Sequence, residues 1–340
     1  MTDSKKKKAH AIALFSGGLD SALAILLVLQ QGIEVTALSF LTHFGSDIKD
    51  FSTCGTEPNP VSSKFGFNVR IGHLGEEFID IVKSPKYGHG KNMNPCVDCH
   101  LLMLKEAKRY MELVGADFVI TGEVIGQRPK SQFRNMLNLI EKESGLAGYL
   151  VRPLCAKLME ESIPEKEGLL DRNKLLDING RSRKRQMELA EEYGLEDYPS
   201  PAGGCLLTDK SYSNRLQDLF EHSDKIDFND LNMLRVGRHF RLDEHTKVIV
   251  GRHEEENDKL LKYAGKDHHI LEAIDTGSPI VIYSSSKGED RIDDAAAITA
   301  RYCDDKNEDE VEITVIFKGD TRKMSVAPAD PDQFSEFLIR

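Results

Sequence analysis

Apolar and polar residues alternate in blocks along the first part of the chain, and the blocks predict strands and helices in turn. The run Ala11–Phe15 has the length of a buried parallel strand, and the longer apolar run Ala22–Gln31 is long enough for a packed helix. Further strand-like runs cover 34–42, 67–73 and 117–121, and helix-like stretches begin near 59 and cover 76–83 and 97–114. This alternation predicts an α/β fold with a doubly wound parallel sheet.

The pattern changes from about Asp209 onward. Charged helical sequence continues through Asp230, and residues 235–258 read as a hairpin followed by the start of a helix. Strand-like runs at 278–284 and 310–319 then flank a helix-like run at 293–303. We therefore predict a first domain over 1–208, a helical connector over 209–234 and a smaller C-terminal α+β domain over 235–340.

The stretch SGGLDS lies between the first predicted strand and the first predicted helix. Gly17 and Gly18 allow a sharp turn, and the amides at the start of a helix favour an anion. Ser16 and Ser21 supply hydroxyl donors, and Asp20 supplies a carboxylate for Mg²⁺. The spacing differs from the Walker motif, so we expect the phosphates of a nucleotide bound in another way. The alternative is an ordinary glycine-rich turn with a capping serine.

A second polar motif, Thr121, Gly122 and Glu123, follows the strand-like run 117–121. Ligands of doubly wound sheets bind at the carboxyl ends of the strands. We therefore expect these three residues to lie beside SGGLDS and to line the same site.

Three of the six cysteines stand in suggestive positions. Cys96 and Cys99 have Cys-x-x-Cys spacing at the start of a predicted helix, and Cys205 lies in a Pro- and Gly-rich turn. Three interpretations remain open: an iron–sulfur cluster with three protein ligands, a nucleophile and resolver pair that passes a persulfide, or structural zinc. The position at a helix N-terminus is expected to lower the thiol pKa. For zinc, the fourth ligand would be His100, Cys54 or Cys155.

Composition narrows the class of protein. Of 340 residues, 40% are hydrophobic and 30% charged, and the chain contains no apolar run long enough to span a bilayer. The basic N-terminus is followed by a strand-length run, so we expect no signal peptide and a cytoplasmic protein without a membrane partner. The net charge of −11 argues against a uniformly basic nucleic-acid binder.

One region is locally basic. Lysine and arginine outnumber acidic residues between 128 and 185, and the densest cluster is GRSRKR at 180–185. Such a segment can follow a phosphate backbone, or it can be a solvated helix face. The candidates for contact with nucleic acid are Arg128, Lys130, Arg181, Arg183, Lys184 and Arg185.

Taken together, these motifs resemble a known family. SGGLDS resembles the PP-loop of the ATP pyrophosphatase superfamily, whose fold is like that of the adenine nucleotide alpha hydrolases. Residues 94–111, 119–143 and 149–157 resemble the PP-loop domain of the tRNA 4-thiouridine synthetases, and TGEVIGQRPKSQ at 121–132 is the most specific stretch. The resemblance covers about residues 9–200.

This resemblance implies ATP-dependent thiolation of a uridine in tRNA. ATP with Mg²⁺ would adenylate a uridine carbonyl oxygen, and sulfur would follow from a [4Fe–4S] cluster held by Cys96, Cys99 and Cys205 or from a persulfide on one of them. Gln127, Ser131 and Gln132 would lie close to the nucleotide or the uridine. The expected partners are tRNA, a sulfur donor that is a cysteine desulfurase or free sulfide, and a second copy of the chain in a homodimer.

The C-terminal region resembles a different family, the NFACT-R RNA-binding domain of ribosome quality-control proteins. The match covers a GR-x-x-x-EN-D pattern formed by Gly251, Arg252, Glu256, Asn257 and Asp258. Arg238 and Arg252 are the leading RNA-contact candidates here, although acidic residues outnumber basic ones in this region.

Two other functions fit parts of the sequence. A PP-loop enzyme can use ammonia to form an amide, which would leave the three cysteines without a role. A non-catalytic nucleotide- and RNA-binding quality-control factor would bind ATP without splitting it. The sequence does not decide between thiolation at uridine C2 and at C4.

Overall fold

The computed structural model describes residues 8–45, 60–196, 198, 205–223 and 225–340. Cys54 and Asn59 therefore lie outside the described residues. The chain divides into two compact units, Met1–Cys205 and Leu206–Arg340. The domain limits expected at 208 and 234 stay predictions.

The described part of the first unit contains a five-stranded sheet in the order β3-β2-β1-β4-β5, and every neighbouring pair is parallel. Its strands are β1 His10–Leu14, β2 Glu34–Leu41, β3 Asn68–His73, β4 Phe118–Ile120 and β5 Leu150–Val151. Its helices are α1 Leu19–Leu29, α2 Pro60–Phe65, α3 Glu76–Lys83, α4 Cys96–Val114, α5 Arg134–Glu143, α6 Ile163–Lys166 and α7 Lys184–Glu192. The predicted doubly wound parallel sheet is confirmed.

The central strand β1 explains why helices cover both faces of this sheet. Ala11 and Ala13 point into a core shared with α1 and α7, whereas Ile12 points into a second core formed with α4 and α5. A strand buried on both faces has no polar alternation, which is why β1 reads as a continuous apolar run. Strand β1 also sets the position of the loop that follows it.

The second unit has an antiparallel sheet of six strands within the described residues, in the order β11-β10-β8-β9-β7-β6. The strands are β6 Arg238–Arg241, β7 Thr246–Val250, β8 His269–Ala273, β9 Val281–Ser285, β10 Val311–Phe317 and β11 Asp320–Val326. The helices are α8 Lys210–His222, α9 Phe228–Met233, α10 Glu254–Tyr263, α11 Ile292–Tyr302 and α12 Pro331–Phe334. The smaller α+β module expected from the sequence is confirmed.

None of the helices in the described ranges is both long enough and apolar enough to cross a membrane.

Candidate functional site

The loop SGGLDS joins β1 to α1, as expected. Gly17 has a φ of +75°, a conformation that side chains rarely adopt, and Gly18 caps α1. The hydroxyl of Ser21 donates to the carbonyl of Gly18 at 2.8 Å and lies 3.3 Å from the hydroxyl of Ser16. The glycines therefore shape a turn in which no side chain caps the N-terminus of α1, with two hydroxyls beside it.

Asp20 lies in the first turn of α1 and has two partners from distant parts of the chain. The Gln127 side-chain amide donates to Asp20 Oδ2 at 2.7 Å, and the Arg183 guanidinium lies 3.6 Å from the same oxygen. The other oxygen, Oδ1, is buried without a hydrogen-bond partner among the described residues. A buried carboxylate oxygen of this kind suits a cation, so Asp20 fits the role of a Mg²⁺ ligand.

The TGE motif lies directly against this loop. At Gly122, an added Cβ would lie 2.5 Å from the backbone carbon of Asp20 and from the backbone nitrogen of Ser21. Real Cβ atoms do not approach backbone so closely, so position 122 requires glycine. The carboxyl end of β4 and the start of α1 are thus in backbone contact.

Glu123 is the centre of a buried ionic network. Its carboxylate accepts hydrogen bonds from Arg152 Nε at 3.1 Å and from the Thr121 hydroxyl at 3.1 Å, and it lies 3.0 Å from His100 Nδ1. Burial alone would raise the pKa of Glu123, but Arg152 and His100 outweigh burial and lower the pKa to about 2. The network connects the end of β4 to α4, the helix that carries Cys96 and Cys99.

The three cysteines expected to act together do lie together. Cys96 Sγ donates to Asn94 Oδ1 at 2.9 Å, and Asn94 Nδ2 donates to Cys205 Sγ at 3.5 Å, so one carboxamide joins the two thiols. Cys99 is half-buried, and burial raises its pKa, with further increases from Cys205, Cys96 and Asp98. The structure therefore brings residues 94–99 and Cys205 to one place.

The pKa values of the thiols differ from those expected from the sequence. The helix N-terminus was expected to lower their pKa, but this prediction is wrong for Cys96 and Cys99 because burial raises the pKa of both. Arg128 and Lys130 oppose the rise at Cys96. Among the described residues, no three His, Cys, Asp or Glu side chains stand at metal-binding spacing.

Several residues expected to contact RNA lie inside the first unit. Gln127 and Arg183 contact Asp20, and Ser131 and Gln132 are buried, at 1% and 5% exposure. Lys130, by contrast, is exposed; it has a φ of +67° and donates from Nζ to the carbonyl of His89. The other four residues therefore belong to the interior of the candidate site or to its wall, whereas Lys130 lies at the surface.

Other basic candidates remain at the surface. Arg128, Arg181 and Lys184 are exposed, and Arg185 pairs with Glu188 and Glu192 on the exposed face of α7. The basic cluster 180–185 is thus divided, with Arg183 directed to Asp20 and its neighbours directed to solvent.

The GR-x-x-x-EN-D pattern of the second unit is explained by packing. Arg252 donates to Glu256, and Asn257 Oδ1 accepts from the Ile280 amide at 3.0 Å. A Cβ at Gly251 would overlap that Asn257 oxygen. The pattern fixes the junction of β7 with α10. Arg238 lies 4.9 Å from the ring centre of Tyr302.

The loop SGGLDS follows the central strand of a doubly wound parallel sheet, which is the arrangement of a PP-loop type of α/β unit. Residues 7–164 match the family model described as "Thiamine biosynthesis protein (ThiI)", and residues 237–338 match the one described as "NFACT protein RNA binding domain". Both resemblances drawn from the sequence are thereby confirmed as regional family matches.

Curated relatives include "tRNA-specific 2-thiouridylase MnmA" from two bacteria. The Syntrophotalea carbinolica protein is 32% identical over 132 residues, covering 35% of each chain. The Clostridioides difficile protein is 24% identical over 223 residues, covering 62% of this chain and 58% of the relative. The chain thus spans less than two thirds of the length of these two relatives.

Two solved structures show partial likeness. One is "Crystal structure of a 4-thiouridine synthetase - RNA complex with bound ATP", with a TM-score of 0.38, 21% identity and coverage of 55% of this chain and 41% of that one. The other is the C-terminal part of the fibronectin/fibrinogen-binding protein from Streptococcus suis, with a TM-score of 0.28, 16% identity and coverage of 78% and 97%. TM-scores this low do not by themselves establish a shared fold.

Proposed function

We propose that this protein thiolates a uridine of tRNA in an ATP-dependent reaction. The observation that carries the proposal is the loop 124–132, which connects the two halves of the candidate site. Gln127 on this loop donates to Asp20, and the positive charges of Arg128 and Lys130 oppose the rise in the pKa of the Cys96 thiol. These interactions support a nucleotide site and a sulfur-delivery site that share this loop.

The first half-reaction activates the base, because a carbonyl oxygen is a poor leaving group. The uridine oxygen attacks the α-phosphate of ATP, pyrophosphate leaves, and the resulting adenylate can lose AMP. The amides and hydroxyls of Ser16, Gly17, Gly18 and Ser21 would hold the phosphates, since charge developing on phosphate oxygens is stabilised by fixed donors. Asp20 would hold Mg²⁺ through Oδ1, and the ion would neutralise the leaving pyrophosphate.

The second half-reaction delivers sulfur to the activated carbon. Metals bind thiols as thiolates, after loss of the proton. Asn94 joins Cys96 to Cys205, and Cys99 follows Cys96 in the first turn of α4, so this arrangement supports ligation of a [4Fe–4S] cluster by the three cysteines. Such a cluster would supply an iron without a protein ligand to hold sulfide.

A persulfide route is the alternative for the same cysteines. The outer sulfur of a persulfide displaces AMP from the carbon, and a second thiol then attacks the inner sulfur. The products are thiouridine and a disulfide, which a reductant must open before the next cycle. Asn94, which joins Cys96 and Cys205, supports a pair of thiols that cooperate.

Placement of the tRNA falls to basic side chains of both units in this proposal. The exposed Arg181 and Lys184 of the first unit suit a phosphate backbone, as does Arg128. The NFACT-R-type unit would add Arg238, whereas Arg252 is already paired with Glu256. The proposal also includes a protein or free sulfide that donates sulfur, and a homodimer of this chain.

The cysteine assignment is tested on anaerobically purified protein by measuring iron, acid-labile sulfide and zinc. The variants are Cys96→Ala, Cys99→Ala and Cys205→Ala, with Cys303→Ala as matched control because Cys303 is a buried thiol of the other unit. About four irons per chain that each site variant loses and the control retains would support the cluster. A trappable persulfide without iron would support the other route, and stoichiometric zinc alone would contradict both.

Adenylation is tested by ATP–pyrophosphate exchange and AMP release with bulk tRNA, followed by nucleoside analysis for 2-thio- and 4-thiouridine. The proposal requires tRNA-dependent release and a thiolated product. Release that depends on ammonia instead would favour amide formation. Nucleotide binding without release would favour a binding factor.

A further inference from the structure

Two glutamine side chains form a chain of amides that ends on Asp20. Gln186 Nε2 donates to Gln127 Oε1 at 3.1 Å, and Gln127 Nε2 donates to Asp20 Oδ2 at 2.7 Å. The three residues come from the first turn of α7, from the loop 124–132 and from the first turn of α1. Neither glutamine belongs to the loop SGGLDS.

The burial of the Gln186 side chain is energetically unfavourable. It is 0% exposed, and its own Oε1 has no hydrogen-bond partner among the described residues. Burying an amide with one unsatisfied oxygen is unfavourable. An apolar residue would serve packing better at this position, beside Leu189 and Ala190 of the same buried helix face.

The chemistry of a carboxamide explains what Gln186 does to Gln127. A carboxamide has an oxygen that only accepts and a nitrogen that only donates. Because Gln186 donates to the oxygen of Gln127, the nitrogen of Gln127 must face the other way, toward Asp20. If Gln127 were flipped, its oxygen would face a carboxylate oxygen and repel it.

We propose that Gln186 is a positioning residue that acts through Gln127 to fix the Asp20 carboxylate, so that Oδ2 is occupied and Oδ1 is presented to a divalent cation. The proposal rests on the proposed adenylation function for its role in turnover. Its direct consequence, the affinity for the Mg²⁺–nucleotide pair, can be measured without turnover.

The test uses the full chain and a fluorescent, non-hydrolysable ATP analogue titrated at several Mg²⁺ concentrations. Gln186→Leu removes the donor and keeps the approximate volume. The matched control is Gln31→Leu, since Gln31 accepts a hydrogen bond from the Asp171 amide and does not contact Asp20. We expect about a tenfold rise in the Mg²⁺ concentration for half-saturation with Gln186→Leu and no change with Gln31→Leu.

A double variant separates positioning from a general structural effect. If Gln186 acts through Gln127, then Gln127→Ala combined with Gln186→Leu binds Mg²⁺–nucleotide as weakly as Gln127→Ala alone. Three results would each overturn the proposal. The losses of affinity in the double variant could be additive, the Mg²⁺ concentration for half-saturation could stay unchanged in Gln186→Leu, or it could shift equally in Gln31→Leu.

The Mg²⁺ titration decides the positioning role of Gln186 whether or not the protein thiolates tRNA. If the wild type binds the analogue in a Mg²⁺-dependent way but does not release pyrophosphate with tRNA, the thiolation proposal fails while the positioning role is still decided by the titration. If release occurs, Gln186→Leu should raise KM for Mg²⁺–ATP more than it lowers kcat at saturating Mg²⁺.

Discussion

Two aspartates, one in each unit, show how differently a carboxylate can be used. Asp218 of α8 accepts both Arg241 donors, at 2.7 and 2.8 Å, and the Lys247 ammonium at 2.9 Å. Asp20 accepts one amide, lies 3.6 Å from Arg183 and leaves Oδ1 without a partner in the described part of the chain. The first carboxylate is saturated by the protein, and the second is held in place but incompletely satisfied.

This difference indicates which carboxylate is available to bind a ligand. A saturated carboxylate fastens elements together, here α8 to β6 and β7, and has no capacity left for a ligand. An oriented carboxylate with one buried oxygen that lacks a hydrogen-bond partner carries an energetic cost that a bound cation would relieve. The predictions below test whether Asp20 and Asp218 separate into function and stability in this way.

The largest expected effect is on activity at Asp20. Asp20→Asn keeps the shape but removes the charge that holds Mg²⁺, so tRNA-dependent pyrophosphate release should fall by about 10²–10³-fold. Stability against urea, followed by circular dichroism, should be close to that of the wild type. A fully active Asp20→Asn variant would contradict the functional role of Asp20.

The next effect is on stability at Asp218. Asp218→Ala leaves the buried Lys247 and the half-buried Arg241 without their partner, and breaking a buried pair typically costs about 3–5 kcal/mol. Hydrogen exchange of β6, β7 and α8 should accelerate, while nucleotide binding by the first unit stays unchanged. Unaltered exchange in these elements would show that the ion pairs contribute little.

A smaller effect concerns pH. Burial opposes ionisation of Asp218, but hydrogen bonds from Arg241 and Lys247 lower its pKa to about 2, below the ordinary 3.8. A lowered folded-state pKa gives stability that is present above the unfolded pKa and is lost as pH falls through the folded one. We expect a loss of about 2 kcal/mol between about pH 4 and pH 2.

The control for this pH effect is Asp218→Ala, which lacks the titrating group. Other carboxylates also titrate in this range, so the quantity to compare is the difference in urea midpoint between wild type and variant. That difference should shrink as the pH falls, and a constant difference would contradict the assignment.

The smallest effect is expected at Arg183. Its contact with Asp20 is long and both side chains are partly exposed, so the ion pair is worth at most about 1 kcal/mol. Arg183→Ala should raise KM for Mg²⁺–ATP by about 2–5-fold, whereas Arg241→Ala should affect the stability of the second unit and not KM. Equal effects of the two variants on KM would remove the distinction between the two aspartates.

The sequence allowed the local features of the site to be predicted. Gly17, Gly18 and Asp20 act within one turn, and Cys96 and Cys99 have a short characteristic spacing, so neighbouring residues contain the signal. Both resemblances and the parallel sheet follow from the same kind of local pattern. The limits of α3 at Glu76 and Lys83 match the predicted helix.

The long-range features could not be predicted. Charge placed Arg183 on an RNA surface, and the resemblance placed Gln127 close to the nucleotide or the uridine, but nothing local shows that their side chains meet Asp20. Gln186 and Arg152 were missed for the same reason. A signal did exist for Gln186, since it is an uncharged residue three positions before Leu189 and four before Ala190, on the face that α7 buries.

The contact of Gly122 with the Asp20–Ser21 backbone has a consequence for rates. With no side chain between β4 and α1 at this contact, no rotamer change is needed there when a nucleotide binds to the loop SGGLDS as proposed. Association with nucleotide should therefore be a single second-order step whose rate rises linearly with concentration, without the plateau that a slow rearrangement of the loop would impose.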